Sequence, residues 1–126
     1  MQPQVVRGAV SADKSKDEFK QQFENSKKYF SGPNSHAQLF QAFDKFARFI
    51  PEEGRRELWP ETVSRVIAFF RCHTESNGFP VPQKTWSQLE VGLLDLKASP
   101  SMRCVQMSGP ALERCHVGVY NCAFQF

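Results

Sequence analysis

Two adjacent Cys–His pairs contain the side chains of this 126-residue chain that could do chemistry. With two further cysteines, the candidate residues are Cys72, His73, Cys104, Cys115, His116 and Cys122. Zinc binds four thiolate or imidazole ligands in a tetrahedral array, and a thiolate beside an imidazole can act as a nucleophile. The usual zinc signature is a short knuckle of closely spaced cysteines, but the nearest two cysteines here are seven positions apart. We therefore expect small thiols buried on helix faces and no metal ligand, with a zinc protein or a Cys–His enzyme as an alternative.

No other motif for catalysis or cofactor binding occurs in the sequence. The glycine loops that hold phosphates, the serine-hydrolase elbow and the H-E-x-x-H metalloprotease motif are all missing. Glu52, Glu53, Glu57 and Glu61 lie at predicted turns and helix starts, where solvation and the helix dipole explain acidic residues. The sequence thus predicts no cofactor and no catalytic residue, and it favours a protein that is not an enzyme.

Basic and acidic residues are mixed along the chain. Sixteen Lys and Arg residues against 13 Asp and Glu residues give a net charge of +3, and the pI is about 8.8. A dedicated nucleic-acid-binding domain usually has a basic stripe or a pI above about 9. An ordinary solvated surface is therefore the favoured interpretation, although the lysines of the first predicted helix would also suit phosphate or an acidic partner.

The composition is that of a folded protein from a reducing compartment. Apolar residues form 40% of the chain, and the longest apolar run, Val66 to Phe70, is far below the roughly 20 residues that cross a bilayer. The cysteine spacings match no small disulfide scaffold, and residues 1–14 contain no signal-peptide core. We expect an intracellular protein without membrane insertion. We expect it in the cytoplasm or in mitochondria. The mitochondrial location is considered because Arg7 to Ser11 is typical of a mitochondrial processing site.

The first half of the chain predicts an extended arm followed by two helices. Residues 1–12 lack helical periodicity, and residues 13–126 are expected to form a single helical domain. Helix one is predicted to begin at a capping box on Ser15 and to end before Gly32. Helix two is predicted from a second capping box at Ser35. It would end at Pro51, with an apolar stripe of Leu39, Phe40, Phe43, Phe46, Ala47, Phe49 and Ile50.

The second half predicts three more helices. Helix three opens with Pro60 in its first turn and ends at Asn77-Gly78, with Val63, Val66, Ile67 and Phe70 on its buried face. Helix four repeats apolar residues at Trp86, Leu89, Leu93 and Leu96. Residues 101–108 are too short to assign. Helix five follows Gly109-Pro110 with Leu112, Cys115, Val119, Cys122 and Phe126 on one side, although residues 117–120 also alternate like a strand.

These elements predict an all-α fold of about five helices, either a helical bundle or stacked antiparallel helical hairpins. Residues 66–87 form a helix, a Gly/Pro turn and a new helix that opens on Thr85-Trp86-Ser87, and a similar aromatic and small polar pair recurs at Tyr120-Asn121. Over residues 66–126 this order resembles the pentatricopeptide repeat, a helical hairpin of a family that binds single-stranded RNA. The resemblance implies that Ser87 and Asn121 occupy the base-reading positions.

We therefore expect a non-catalytic helical interaction module, which binds a protein partner or forms a subunit of a larger, ribonucleoprotein-type assembly. The apolar C-terminal residues Phe124 and Phe126 are the predicted partner contacts. The alternative is a single-stranded RNA-binding helical-repeat protein that reads bases with Ser87 and Asn121 and contacts phosphate with nearby Lys and Arg. The second alternative is the Cys–His enzyme or zinc protein.

Overall fold

The structure is a computed structural model that describes residues 12–120, with side chains from residue 16 onward. Over this range the chain forms a small, mostly helical domain with one two-stranded sheet. The helices are α1 (Ala12–Lys27), α2 (Ser35–Gln41), α3 (Trp59–Ser76), α4 (Gln83–Leu94), α5 (Met102–Met107) and α6 (Pro110–Arg114). The strands are β1 (Phe49–Ile50) and β2 (Arg55–Arg56). The predicted all-α fold class is confirmed.

Helix α3 is the central element. The strongest apolar periodicity, in the second predicted helix, predicts that helix as the central one instead, and this prediction was wrong, because α2 contains no buried residue. Pro60 lies in its first turn, where a missing N–H costs nothing, and Gly78 follows its end with a φ of 78° that favours glycine. Val63 and Val66 are almost fully buried. They join a core whose buried members are Phe30, Ala42, Trp59, Val63, Val66, Leu93 and Val105.

Helix α1 begins earlier and ends earlier than the capping motifs predict. Its described part starts at Ala12, so Ser15 lies inside the helix instead of capping it. It ends at Lys27. Phe30 therefore lies beyond the helix, where its ring packs edge-on against Trp59 at 5.7 Å between centroids. Phe30 is therefore placed in the core by tertiary packing and not by its position in a helix.

The predicted second helix is interrupted, and this prediction was wrong in its second half. Regular α2 ends at Gln41, residues 42–46 form a π-helical turn, and the chain then enters a hairpin in which Phe49 pairs with Arg56. Phe40 and Phe49, both predicted in the apolar stripe, are exposed. At the start of α2, the preceding residue Asn34 makes no side-chain capping bond. The hairpin forms because Pro51 to Gly54 supply the turn, and Gly54 adopts a φ of 63°.

Helix α4 packs against α3 and is shorter than its periodicity predicts. Trp86 and Leu93 are buried as expected, but Leu89 is exposed and Leu96 lies outside the helix. Leu96 has a φ of 56°, the left-handed conformation that follows many helix ends. Helix α4 begins at Gln83, before the Thr85 predicted to open it.

The end of the described chain differs most from the prediction. The unassigned stretch contains α5, and the single predicted fifth helix is instead the short α6 followed by a 3₁₀ turn at His116–Val119. Cys115 is extended between them, with φ −160° and ψ 120°, which breaks the helix. Its predicted buried position is also wrong, because Cys115 is exposed. Between residues 12 and 120, no helix combines the length and the apolar character that crossing a bilayer requires.

Candidate functional site

The most buried charged group is the Glu57 carboxylate, at the junction of the hairpin and α3. Its two oxygens accept hydrogen bonds from Arg65 Nε at 2.8 and 3.1 Å, and Oε2 also accepts from the Thr62 hydroxyl and the Arg48 backbone N–H. The Glu57 and Arg65 side chains are only 10% and 15% exposed. A buried carboxylate without such partners would cost several kcal/mol in desolvation, so these bonds compensate for its burial.

Arg65 extends this network into two other segments. Its guanidinium donates to the backbone carbonyls of Phe46, Val105 and Ser108 at 2.8–3.1 Å. These carbonyls belong to the π-helical turn and to the end of α5. Arg65 thus joins the interrupted second helix, α3 and α5. With every donor directed at the protein itself, this arrangement is structural and offers no reacting group to solvent.

A second ion pair fixes the start of α3. Arg55 donates two hydrogen bonds to the Glu61 carboxylate, at 2.7 and 2.8 Å, and Glu61 Oε2 accepts the Leu58 backbone N–H at 2.7 Å. The Arg55 hydrogen bonds lower the pKa of the Glu61 carboxyl. Glu61 therefore acts as an N-terminal cap, which is the role that its position in the sequence predicts.

Of the two residues predicted to read RNA bases, Ser87 lies within the described part of the chain and Asn121 does not. Ser87 is exposed on α4, and its hydroxyl donates to the Gln83 carbonyl one turn earlier at 3.2 Å. Asn121 lies outside the described residues. The predicted partner contacts Phe124 and Phe126 lie outside them as well, so their roles stay predictions.

The two Cys–His pairs come together through their histidines. The rings of His73, in the last turns of α3, and His116, in the 3₁₀ turn, lie 5.1 Å apart between centroids with their planes at 88°. His73 is also stacked on Phe69, at 5.9 Å and 13° between planes. Both histidines are exposed. No short knuckle links His73 and His116 in the sequence, so the pairing has no local signal. The two residues meet only through the packing of the 3₁₀ turn on α5 and α6.

Cys72, Cys104 and Cys115 do not form, with the described histidines, the closed zinc site considered from the sequence. Cys72 and Cys115 are exposed and Cys104 is partly buried, so the predicted burial of the thiols in α3 and in the last helix was wrong. Within residues 16–120, no three side chains of His, Cys, Asp or Glu are grouped so that they could hold a metal ion. Cys122, the fourth thiol, lies outside this range. What the structure brings together is a pair of imidazoles.

Large apolar side chains are exposed on several elements. Phe40 in α2, Phe49 in β1 and Phe79 after α3 are 69%, 60% and 71% exposed. Further exposed members are Leu89, Val91, Leu96, Met102, Val117 and Tyr120. Single exposed apolar residues are normal on a protein surface, but phenylalanines are large and each exposes a whole ring. The packing of the domain gives no reason for the exposure of these three rings.

A shallow cleft opens between α1 and the start of α3. It has a volume of about 250 Å³, and Gln22, Asn25, Lys28, Tyr29 and Glu61 are among its lining residues. Sites for small ligands usually enclose about 300–1,000 Å³ and are mainly apolar. Glu61, its acidic residue, is already engaged by Arg55. The cleft therefore supports no specific ligand.

Comparison with known proteins does not add to this geometry: no protein-family model, no curated protein and no solved structure matches the chain.

Proposed function

We propose that this chain is a non-catalytic helical interaction module that binds a protein partner with its exposed aromatic side chains. The observation that supports the proposal is the exposure of Phe40, Phe49 and Phe79, each more than half open to water. Burial of one such ring in an interface would contribute about 1.5–3 kcal/mol, and aromatic residues are enriched among the anchors of protein interfaces. Contacts of this kind would suit a subunit of a larger assembly.

The internal polar network supports the same proposal. Glu57 and Arg65 satisfy each other and the surrounding backbone, so their chemistry serves the fold. A folded domain whose exposed side chains are already positioned can bind a partner with a smaller ordering cost than a disordered segment. The RNA-binding and Cys–His alternatives depend on other residues, the exposed Ser87 and the exposed Cys72 and Cys115, which lie outside this network.

The test is the sedimentation of the tagged full chain in extracts of its native cells, with and without ribonuclease. We expect a heavy complex that resists ribonuclease and that is lost or reduced at least about tenfold in Phe40→Ser and Phe79→Ser. Gln38→Ser and Gln88→Ser change exposed polar residues of α2 and α4 and are the matched controls. The Phe124→Ala/Phe126→Ala double variant tests the contacts predicted from the sequence.

Two results would contradict the proposal. One is a free monomer of 14.4 kDa in the native extract. The other is a complex that the serine variants leave unchanged while their melting curves match that of the original chain. Because the altered rings are exposed, their replacement should not unfold the domain.

The RNA-binding alternative has one favourable observation, the exposure of Ser87 on the same face of α4 as Lys84, three residues earlier. It predicts a complex that collapses with ribonuclease, and an affinity for single-stranded RNA that falls steeply as salt is raised. Lys84→Ala should then reduce the salt slope, and Ser87→Ala should change the base preference. Absence of binding to any single-stranded RNA at low salt would exclude this function.

A further inference from the structure

The contact between His73 and His116 joins two chain segments through their imidazole rings. We propose that these two histidines form an open site for a divalent transition-metal ion, with Zn²⁺ as the reference ion. Imidazole is the commonest protein ligand for such metals, and it suits Zn, Cu and Ni, whereas Mg and Ca take oxygen ligands. The site would be independent of the aromatic residues proposed to bind a partner.

The spacing of the rings matches shared coordination. A zinc ion bound at about 2.0–2.1 Å by one nitrogen of each ring, with tetrahedral angles, places the ring centroids about 5 Å apart. The observed separation is 5.1 Å, and the ring planes are almost perpendicular at 88°. The separation of the ring centroids is therefore compatible with the binding of one ion by one nitrogen of each ring.

One of the rings is already held in place. His73 is stacked on Phe69, one turn earlier in α3. Asn77 lies one turn later, with its Nδ2 3.5 Å from His73 Nε2, and because an amide nitrogen only donates hydrogen bonds, an ion bound at Nε2 would replace this contact. The Asn77 amide is itself fixed by a 2.7 Å hydrogen bond to the His73 carbonyl. The stacking on Phe69 is therefore the contact that orients the ring before an ion binds.

The rest of the coordination sphere would be water. Cys72 is next to His73 in a helix, and adjacent helical residues do not face each other, so its thiol is directed away from the ring. No third ligating side chain joins the pair within the part of the chain that has described side chains. Both histidines are exposed, so an ion can enter and retain water in the remaining positions. Such an ion would also link the 3₁₀ turn to α3.

The first test is a calorimetric titration of the full chain with ZnCl₂. We expect binding of one ion and no binding of MgCl₂. His73→Gln and His116→Gln should each weaken the affinity for zinc at least about tenfold, because each removes one of two protein ligands. His36→Gln, which changes the third histidine of the chain, is the matched control and should bind like the original protein.

The thiols need a separate control, because cysteines also bind zinc. The Cys72→Ser/Cys115→Ser double variant should retain the affinity of the original chain. Loss of binding in this variant with full binding in the two histidine variants would overturn the proposal, and so would a chain that binds no zinc. Electron paramagnetic resonance of the Cu²⁺-loaded original chain gives a measurement that needs no variant: two imidazole nitrogens are expected, and none or one would contradict the site.

Discussion

Glu57, two residues before α3, and Arg65, within α3, form an ion pair. Arg65 Nε lies 2.8 Å from Glu57 Oε1, and both side chains are largely buried. The guanidinium also binds three backbone carbonyls of other segments. Burial lowers the pKa of the neighbouring Arg48, and the positive charge of Arg65 lowers it further. The junction of the hairpin, α3 and α5 therefore depends on a few charged groups that must all keep their partners.

Removal of Arg65 should destabilise the domain strongly. Arg65→Met leaves the Glu57 carboxylate buried without its cation, which should cost about 3–5 kcal/mol in the free energy of unfolding, measured with urea. Arg71→Met removes the exposed pair with Glu75 and is the matched control, with an expected change below about 1 kcal/mol. Equal effects of the two variants would contradict the structural role of Arg65.

Glu61→Gln should lower stability at neutral pH but not in acid. The variant loses the charged cap of α3, at a cost of about 1 kcal/mol. Since the pKa of Glu61 is lowered from its ordinary value of 4.5, the unfolded chain binds the proton at a higher pH than the folded chain. The contribution of this carboxylate is thus fully present above about pH 4.5 and is lost as the pH falls through the lower, folded-state value.

Thermal unfolding of Glu61→Gln and of the original chain between about pH 3 and pH 7 tests this difference. The two melting temperatures should converge as the pH falls. Glu52→Gln, at an exposed position of the hairpin turn, should follow the original chain over the whole range. A gap between Glu61→Gln and the original chain that is independent of pH would show that the charge of Glu61 does not matter.

Two glycines should respond in opposite directions to alanine. Gly109 has φ 109° and ψ −145°, a conformation that is almost exclusive to glycine, and a Cβ there would lie 3.3 Å from Arg48 Nη1. Gly109→Ala should destabilise the domain by about 1–3 kcal/mol. Gly92 is helical with an ordinary 3.9 Å contact to Ala98, so Gly92→Ala should stabilise α4 by about 0.5–1 kcal/mol. Urea midpoints measure both, and a change of the same sign would contradict the backbone argument.

The two tryptophans should differ when each is replaced by phenylalanine. Trp59 Nε1 donates to the Leu94 carbonyl at 3.2 Å, whereas the buried Trp86 Nε1 has no acceptor among the described residues. Trp59→Phe loses that hydrogen bond, but Trp86→Phe removes a donor that is unsatisfied. We expect Trp59→Phe to cost about 1 kcal/mol more in the free energy of unfolding. The reverse order would show that Trp86 Nε1 has a partner in solution.

The described cysteines should differ in their accessibility to alkylation. Cys72 and Cys115 are exposed, and Cys104 is partly buried, with its thiol accepting a hydrogen bond from the Ser101 hydroxyl at 3.2 Å. In a time course with iodoacetamide followed by mass spectrometry, Cys72 and Cys115 should be modified before Cys104. A Cys–His enzyme predicts instead that one thiol reacts much faster in the folded chain than in urea. That outcome would favour the catalytic alternative over an interaction module.

Local signals in the sequence were sufficient for α3. Pro60, the acidic Glu61 and the terminal Gly78 define its ends, and Val63 and Val66 define its buried face, because capping and periodicity act within a few residues. The second helix shows the limit of such signals. Its apolar period continues to Ile50, but the chain leaves the helix at Ala47 to form a hairpin.

The physical reason for that interruption is a long-range interaction. Backbone groups of Phe46, Ala47 and Arg48 bind Arg65, Arg56 and Glu57, and these side chains lie on other elements. Buried charges require such partners, so satisfying them outweighs the propensity to continue a helix. Sequence periodicity does not contain this information.

The sequence by itself determined that the chain is helical and where α3 begins and ends, since those properties follow from propensity, capping and periodicity over short distances. That α3 and not the second helix is central was decided by the tertiary packing. It also identified the Cys–His pairs as residues that could bind a metal or act as nucleophiles. Only the tertiary structure decided that their histidines meet while their cysteines remain on the surface. The contact between His73 and His116 results from the packing of the 3₁₀ turn on α5 and α6 and of α5 on α3, and no local spacing specifies the packing of distant segments.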